Sequence, residues 1–254
     1  MAEWIYGRHG VEEAIKAGRR KVLRVLIAAE GRPHKQSNDR MAEIRAAARN
    51  ALISLEEVPA SRLDALTKVG HHHQGVAAEV TPFTYTSLSE VEALCRQVGT
   101  AALVLILDQI QDPQNFGTLL RTSDAVGVTA VVMLDRRQVE VTPAVVNASA
   151  GAVEHLAVCL ANNLARAVEV LQEAGLWVYA LQAEEGASLY TQADLKGPLG
   201  LVVGSEGRGV SRLVRERCDG ALQIPMMGKV ESLNASVAGS VVLYEALRQR
   251  GIPR

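Results

Sequence analysis

Apolar and polar positions alternate in short elements over the first 81 residues, and in longer, more continuous apolar runs beyond residue 101. In the first part the spacing predicts a helix over 11–17, a strand over 22–28 (VLRVLIA), a helix over 39–51, a strand over 53–58, a short helix over 61–68 and a strand over 75–80. That pattern describes a small α/β domain, residues 1–81. Residues 82–100 (PFTYTSLSEVEALCRQVGT) mix turn formers with one short amphipathic helix and read as a linker. From 101 to 254 the runs AALVLIL (101–107), AVVML (130–134), LWVYAL (176–181) and LGLVVG (199–204) suit parallel strands covered by helices on both faces. Helical spacing lies between them at 116–125, 164–174 and 211–217, and the longest helix is expected near 233–250.

Composition narrows the class without naming a function. A 48% hydrophobic content across 254 residues is enough for a buried core. No apolar run approaches the ~18 residues of a membrane span, and MAEWIYGRHG lacks the pattern of a secretory signal. Cys95, Cys159 and Cys218 are far apart and odd in number, so reduced thiols in a cytoplasmic protein are expected; no Cys or His spacing suggests a metal site. Residues 1–81 hold 13 Lys and Arg against 10 Asp and Glu, whereas the remainder holds 14 against 18. A mildly basic first domain is compatible with RNA, or with an ordinary solvated surface. The cluster Arg19, Arg20, Lys21 and Arg24 is open to the same two readings, and His71, His72 and His73 read first as a solvated loop and second as RNA contacts.

In open α/β sheets, ligands sit beyond the carboxyl ends of the strands. Three polar stretches fall there. DPQNFGTLLRTSDAVG follows the 101–107 run: Asp112-Pro113 starts a turn, Asn115 stands where a helix cap belongs, and Arg121 lies six residues on, beside a buried stripe where an anionic partner is expected. VVGSEGRGVS closes the 199–204 run, and its glycines at 204, 207 and 209 imply a sharp turn and close approach around Glu206. The order of those glycines is not that of a dinucleotide fingerprint, and Gly228-Lys229 is not a P-loop. IPMMGKVESLNASVA sets Ser232, Asn234 and Ser236 at the mouth of the last helix.

Together, these three motifs in this order resemble the SpoU-type branch of the SPOUT methyltransferases, which move a methyl group from S-adenosylmethionine to a ribose 2′-oxygen of tRNA or rRNA. The likeness covers the whole second domain. IYGRHGVEEAI and HHHQGVAAEV resemble the substrate-binding domain of the ribosomal RNA enzymes, an L30e-like α/β fold, and point to the bacterial 23S rRNA guanosine-2′-O-methyltransferases. The resemblance implies a parallel α/β sheet with a deep C-terminal trefoil knot, and a homodimer with the cofactor pocket near its interface; whether Arg121 serves a site built with the partner chain stays open. It implies a cofactor cradle at Gly204, Glu206, Gly207, Ile224, Met226 and Leu233. It also implies a reaction crevice lined by Asn115, Arg121, Glu206, Ser232 and Asn234. Within that crevice Arg121 is expected to grip the target phosphate, Asn115 and Glu206 to position the arginine and ribose, and Ser232 and Asn234 to orient the loop and the substrate. Which of those last two serves the helix stays open. A tRNA ribose methyltransferase is the alternative within the class. Outside it stands an inactive RNA-binding assembly factor, against which the intact polar set argues.

Overall fold

A computed structural model describes residues 2–29, 35–67, 73–136, 139–184, 186–230 and 232–251, with backbone alone for 35–39. The elements in chain order are β1 (Glu3–Tyr6), α1 (Arg8–Ala17), β2 (Val22–Ala28), α2 (Lys35–Asn50), β3 (Ser54–Val58), α3 (Ala60–Thr67), β4 (Val76–Val80), α4 (Leu88–Val98), β5 (Leu103–Asp108), α5 (Pro113–Val126) and β6 (Ala130–Leu134). They continue as α6 (Pro143–Ala148), β7 (Val158–Ala161), α7 (Leu164–Glu173), β8 (Trp177–Leu181), β9 (Ser188–Leu189), β10 (Leu199–Gly204), α8 (Arg212–Arg215), β11 (Gly220–Gln223) and α9 (Ala235–Arg250). The apolar runs at 22–28, 130–134 and 199–204 form strands with the expected limits.

The chain divides into two units. The first comprises Met1–Thr84 and Glu140–His155, and the second the remainder. In the first, a four-stranded sheet runs β1-β4-β2-β3, antiparallel except for the β2–β3 pair. Sequence position assigns 140–155 to the second domain, but its contacts lie in the first unit. The reason is local: Val145, Val146 and Val153 are buried there. Gly151, at φ +84°, packs so tightly that an added Cβ would stand 2.7 Å from that of Glu13.

The basic cluster of this unit is neither a solvated face nor a free phosphate grip. Arg20 and Glu154 are both wholly buried side chains, joined as a fork: Arg20 Nε donates to Glu154 Oε2 at 3.1 Å and Nη2 to Oε1 at 2.7 Å. Arg19 donates to the Glu154 carbonyl at 3.2 Å, and both arginines stack on Phe83. Arg24 pairs with Glu79 at 2.6 Å over Trp4, leaving Lys21 exposed. His73 is buried as well, not solvated. Its Nδ1 accepts from the Gly75 N–H at 2.9 Å, and Nε2 lies 3.2 Å from Asp64 Oδ1, off hydrogen-bond geometry. His71 and His72 lie outside the described residues.

The second unit carries a seven-stranded sheet in the order β7-β6-β5-β10-β8-β11-β9, every pairing parallel. The near-continuous apolar runs have the expected cause: all six residues of β5 and of β10 are buried. Residues 88–98 are not a linker. Helix α4 opens with a reciprocal capping box between Ser87 and Glu90 and buries Val91 and Cys95 in this unit's core. The three thiols are free, and burial, reinforced by nearby carboxylates, pushes them up to about 11 at Cys95 and Cys159 and about 12 at Cys218. Thiols held so far from ionisation are inert packing groups. Among the described residues no helix is long and apolar enough to cross a membrane.

The small residues Ala238, Gly239 and Ser240 of α9 suggest close approach by another backbone, and the approach is made within the chain. An added Cβ at Gly239 would meet Leu119 Cδ2 of α5 at 2.7 Å, and Ser240 Oγ lies 2.9 Å from Thr122 Oγ1. The α5–α9 contact sets the two helix starts side by side at the carboxyl edge of the sheet.

Candidate active site

Helix α5 starts three residues earlier than a cap at Asn115 implies. Asp112 is the cap: its Oδ2 accepts from the Asn115 N–H at 3.0 Å. Pro113 follows at the first helical position, where a missing N–H costs nothing. Asn115, freed from capping, points its side chain elsewhere. Its Nδ2 donates to Glu206 Oε1 at 2.9 Å, and its Oδ1 accepts from Asn234 Nδ2 at 2.8 Å. Asn234 Nδ2 gives its second hydrogen to the same Glu206 Oε1. Three side chains, from residues 91 and 119 positions away from Asn115, thus close a triangle of hydrogen bonds.

Asn234 answers the question of which polar residue serves the last helix. Its Oδ1 accepts from Ser236 N at 3.0 Å, Val237 N at 3.2 Å and Ser236 Oγ at 2.6 Å, so it caps α9 while both its amide hydrogens enter the triangle. Ser232 is exposed and outside the triangle. An Asn234→Asp chain keeps the cap oxygen, loses both donors and sets a second carboxylate against Glu206. It is expected to stay within about 1 kcal/mol of parental stability while losing at least roughly tenfold in turnover. Denaturant titration and a rate assay separate the two, and a drop in stability with turnover kept would show that only capping matters.

Glu206 rides on a loop whose shape the glycines impose. At Gly204 an added Cβ would fall 2.1 Å from Gly209 C and O and 2.3 Å from Val210 N, so the chain doubles back on its own backbone. Gly207 and Gly209 hold φ of +77° and +65°. The loop tip, Glu206 to Arg208, is exposed. The segment after β11 leads to Asn234, which bonds Glu206. Ile224 and Met226 are partly exposed, and Leu233 is 36% exposed. Among the described residues, the backbone from Met226 to Val230 makes no hydrogen bond. Apolar side chains beside unpartnered amides suit an adenosine, which needs walls for its rings and backbone partners for its edge.

Arg121 is not brought into this cluster. Six residues from Asn115 amount to roughly 120° around the helix and about 9 Å along it. Arg121 is exposed and, among the described residues, has no acidic partner. Among the described residues the expected anionic neighbour is therefore missing, and the guanidinium faces solvent.

Comparison with known proteins identifies the family. Residues 102–244 match the model of the SpoU rRNA Methylase family, and residues 4–86 match that for RNA 2′-O ribose methyltransferase substrate binding. The chain is 43% identical over 250 residues to the 23S rRNA (guanosine-2′-O-)-methyltransferase RlmB of Xanthomonas campestris pv. campestris, covering 98% of this chain and 97% of that protein. A Staphylococcus saprophyticus protein named for the TrmH family of tRNA/rRNA methyltransferases is 41% identical over 246 residues, 97% of this chain and 95% of that one. Among solved structures, an AdoMet-bound rRNA methyltransferase from Sinorhizobium meliloti shares the fold at a TM-score of 0.77 and 22% identity, over 97% of this chain and 87% of the other.

Proposed function

Because this chain belongs to the SpoU rRNA methylase family, whose members are RNA 2′-O-methyltransferases, we propose that it methylates a guanosine ribose of 23S rRNA in the cytoplasm, with S-adenosylmethionine as donor. The observation that carries the reading is the triangle at Glu206, which joins the starts of α5 and α9 to the glycine loop after β10. The near full-length likeness to the Xanthomonas protein supports the choice of RNA.

The residues at hand fit the cofactor: Ile224, Met226 and Leu233 offer apolar walls, the Met226 to Val230 backbone offers hydrogen-bonding groups, and Gly207 has open space where a side chain would stand. When bound, S-adenosylmethionine supplies a methyl group already activated by the positive charge on its sulfur. What the protein must add is alignment and help in removing the hydroxyl proton. Glu206 Oε1 is occupied by the two amides, so Oε2 is the atom left to hold the ribose, with Asn115 and Asn234 fixing its direction. Ser232, exposed beside them, is left for the substrate edge. A guanidinium is a planar donor fork rather than a proton acceptor, so Arg121 is not assigned as general base. Its planar fork grips the target phosphate, and its charge makes the nearby 2′-hydroxyl easier to deprotonate, with a phosphate or water taking the proton. An Arg121→Lys enzyme is expected to lose at least about tenfold in turnover; near-parental turnover would show the bidentate grip to be dispensable.

Two further features belong to this reading. The C-terminal segment forms a trefoil knot, supported by β10 lying between β5 and β8 while the chain beyond β11 returns to pack α9 on α5. The protein is a homodimer, supported by Val237 and Tyr244, 47% and 52% exposed and two turns apart along one stripe of α9. In such a dimer, Arg121 reaches the partner's crevice rather than its own. Light scattering at micromolar protein is expected to give twice the 27.2 kDa chain mass; a monomer would remove the shared site. The first unit, L30e-like, binds the RNA, as the match over 4–86 supports.

Purified protein supplied with methyl-labelled donor and separated 23S rRNA, 16S rRNA and tRNA tests the reading. Label is expected in 23S rRNA alone. Label in tRNA alone would move the substrate to the alternative that the staphylococcal relative's name also allows, and no binding of the donor at millimolar concentration would favour the non-enzymatic one.

A further inference from the structure

Asp108 ends strand β5, an inner strand of the sheet, and is 1% exposed, a carboxylate buried among apolar strand residues. Burying such a group is costly unless it holds something. It accepts the Ser211 N–H at 2.6 Å, across 103 residues of sequence. Ser211 is the far end of the glycine loop, whose near end, Gly204, is the register neighbour of Asp108 on β10. The preceding amide is held in the same way from the other side, since Val210 N donates at 3.1 Å to Gln182 Oε1, just beyond β8. Gly209 lies so close that an added Cβ would stand 3.0 Å from that same oxygen. Within the loop, Gly209 N donates to Ser205 O at 2.9 Å. Two consecutive amides of the returning limb are therefore pinned by side chains from the two strands that flank β10, and only the tip bearing Glu206 projects.

From this we infer that Asp108, seconded by Gln182, is a positioning residue that fixes Glu206 by clamping the return of its loop; the role rests on the reading of Glu206 given above. The clamp has the features that the task needs. A charge-assisted bond to a backbone N–H is shorter and stronger than a neutral one. Its acceptor sits on the most buried strand pair of the sheet, which makes it a rigid base for a loop that must turn within 2.1 Å of itself. Asp108 also borders a cavity of about 640 Å³ shared with Gln109, Asn162 and Leu213. Truncating the side chain there admits water rather than leaving a sealed void, so the fold is expected to survive the change.

The test uses the full chain. In Asp108→Ala, hydrogen exchange at the Val210 and Ser211 amides is expected to rise at least tenfold while that of β8 stays parental, and turnover is expected to fall about tenfold or more. Asp108→Asn, whose amide oxygen can accept the same N–H, is expected to recover most of that loss. Asp108→Ala combined with Glu206→Ala is expected to be no slower than Glu206→Ala alone, because both act through one group. Unchanged exchange at Val210 and Ser211 would overturn the clamp, as would a combined loss equal to the product of the two single losses. If Glu206→Ala is slow and Asp108→Ala is parental, the inference falls and the crevice stands. If Glu206→Ala is itself parental, the crevice reading falls and takes the role of Asp108 with it.

Discussion

A Gly204→Ala chain is expected to lose methyl transfer by roughly two orders of magnitude or more. The new methyl group would arrive 2.1 Å from Gly209 C and O and 2.3 Å from Val210 N. Those neighbours are backbone, so no side chain can swing aside. The loop has to open, which drags Glu206 out of its two amide bonds and separates the three segments that meet there. Gly207 provides the contrast. It has no atom within 4 Å of an added Cβ and suffers only from its φ of +77°. Gly207→Ala should cost about 1–2 kcal/mol of local strain and a correspondingly smaller part of the rate. Steady-state turnover of the two variants gives the comparison, and equal losses would show that backbone collision at 204 is not the governing effect.

The largest stability loss is expected at the other unit. Glu154→Ala leaves Arg20 buried with its remaining carboxylate, that of the 39% exposed Glu3, 3.5 Å away. Breaking a buried pair from one side costs about 3–5 kcal/mol, because the surviving charge is uncompensated. Replacing both partners, as in Arg20→Met with Glu154→Leu, is expected to restore most of that, since the desolvation of both charges is removed together. Chemical denaturation measures each. A single mutant within 1 kcal/mol of the parent would mean that water reaches Arg20. The consequence is also local. Glu154 adds a polar grip to the buried valines that hold 140–155 in the first unit, so amide protection across that segment is expected to fall with it.

Much of the second unit's frame was legible in the sequence, because β5, β6 and β10 are apolar runs that only a doubly covered parallel sheet accommodates. The elements that escaped are those whose signal is too short to repeat. Strands β1, β7 and β11 have four residues each and β9 two. Their extended form comes from the neighbour they pair with. The 140–155 segment escaped for a different reason. Its three valines need an apolar partner, but nothing in local spacing says that the partner lies more than a hundred residues earlier. The basic cluster misled in the same sense, since Glu154, which neutralises Arg20, is 134 residues away.

At the site, Asn115, Glu206 and Asn234 were legible as polar residues just past strand ends, and the structure joins them. Their division of labour was not. Asp112 caps the helix in place of Asn115, and Asn234 turned out to serve both helix and cluster by using its two amide ends separately. Arg121 and Ser232 stand outside the triangle, which for the first follows from helix angle. Asp108 went unread because a carboxylate closing an apolar strand looks like ordinary punctuation until its distant acceptor role is seen.

The central claim, a ribose 2′-O-methylation of 23S rRNA carried out at the Glu206 cluster, is tested most directly by mapping ribose methylations in RNA from cells lacking this chain. The map is compared with those of cells given back the parental chain or its Glu206→Ala form. One 2′-O-methylguanosine of 23S rRNA is expected to disappear, to return with the parental chain, and to stay absent with the variant. An unchanged map, or full restoration by Glu206→Ala, would contradict the account.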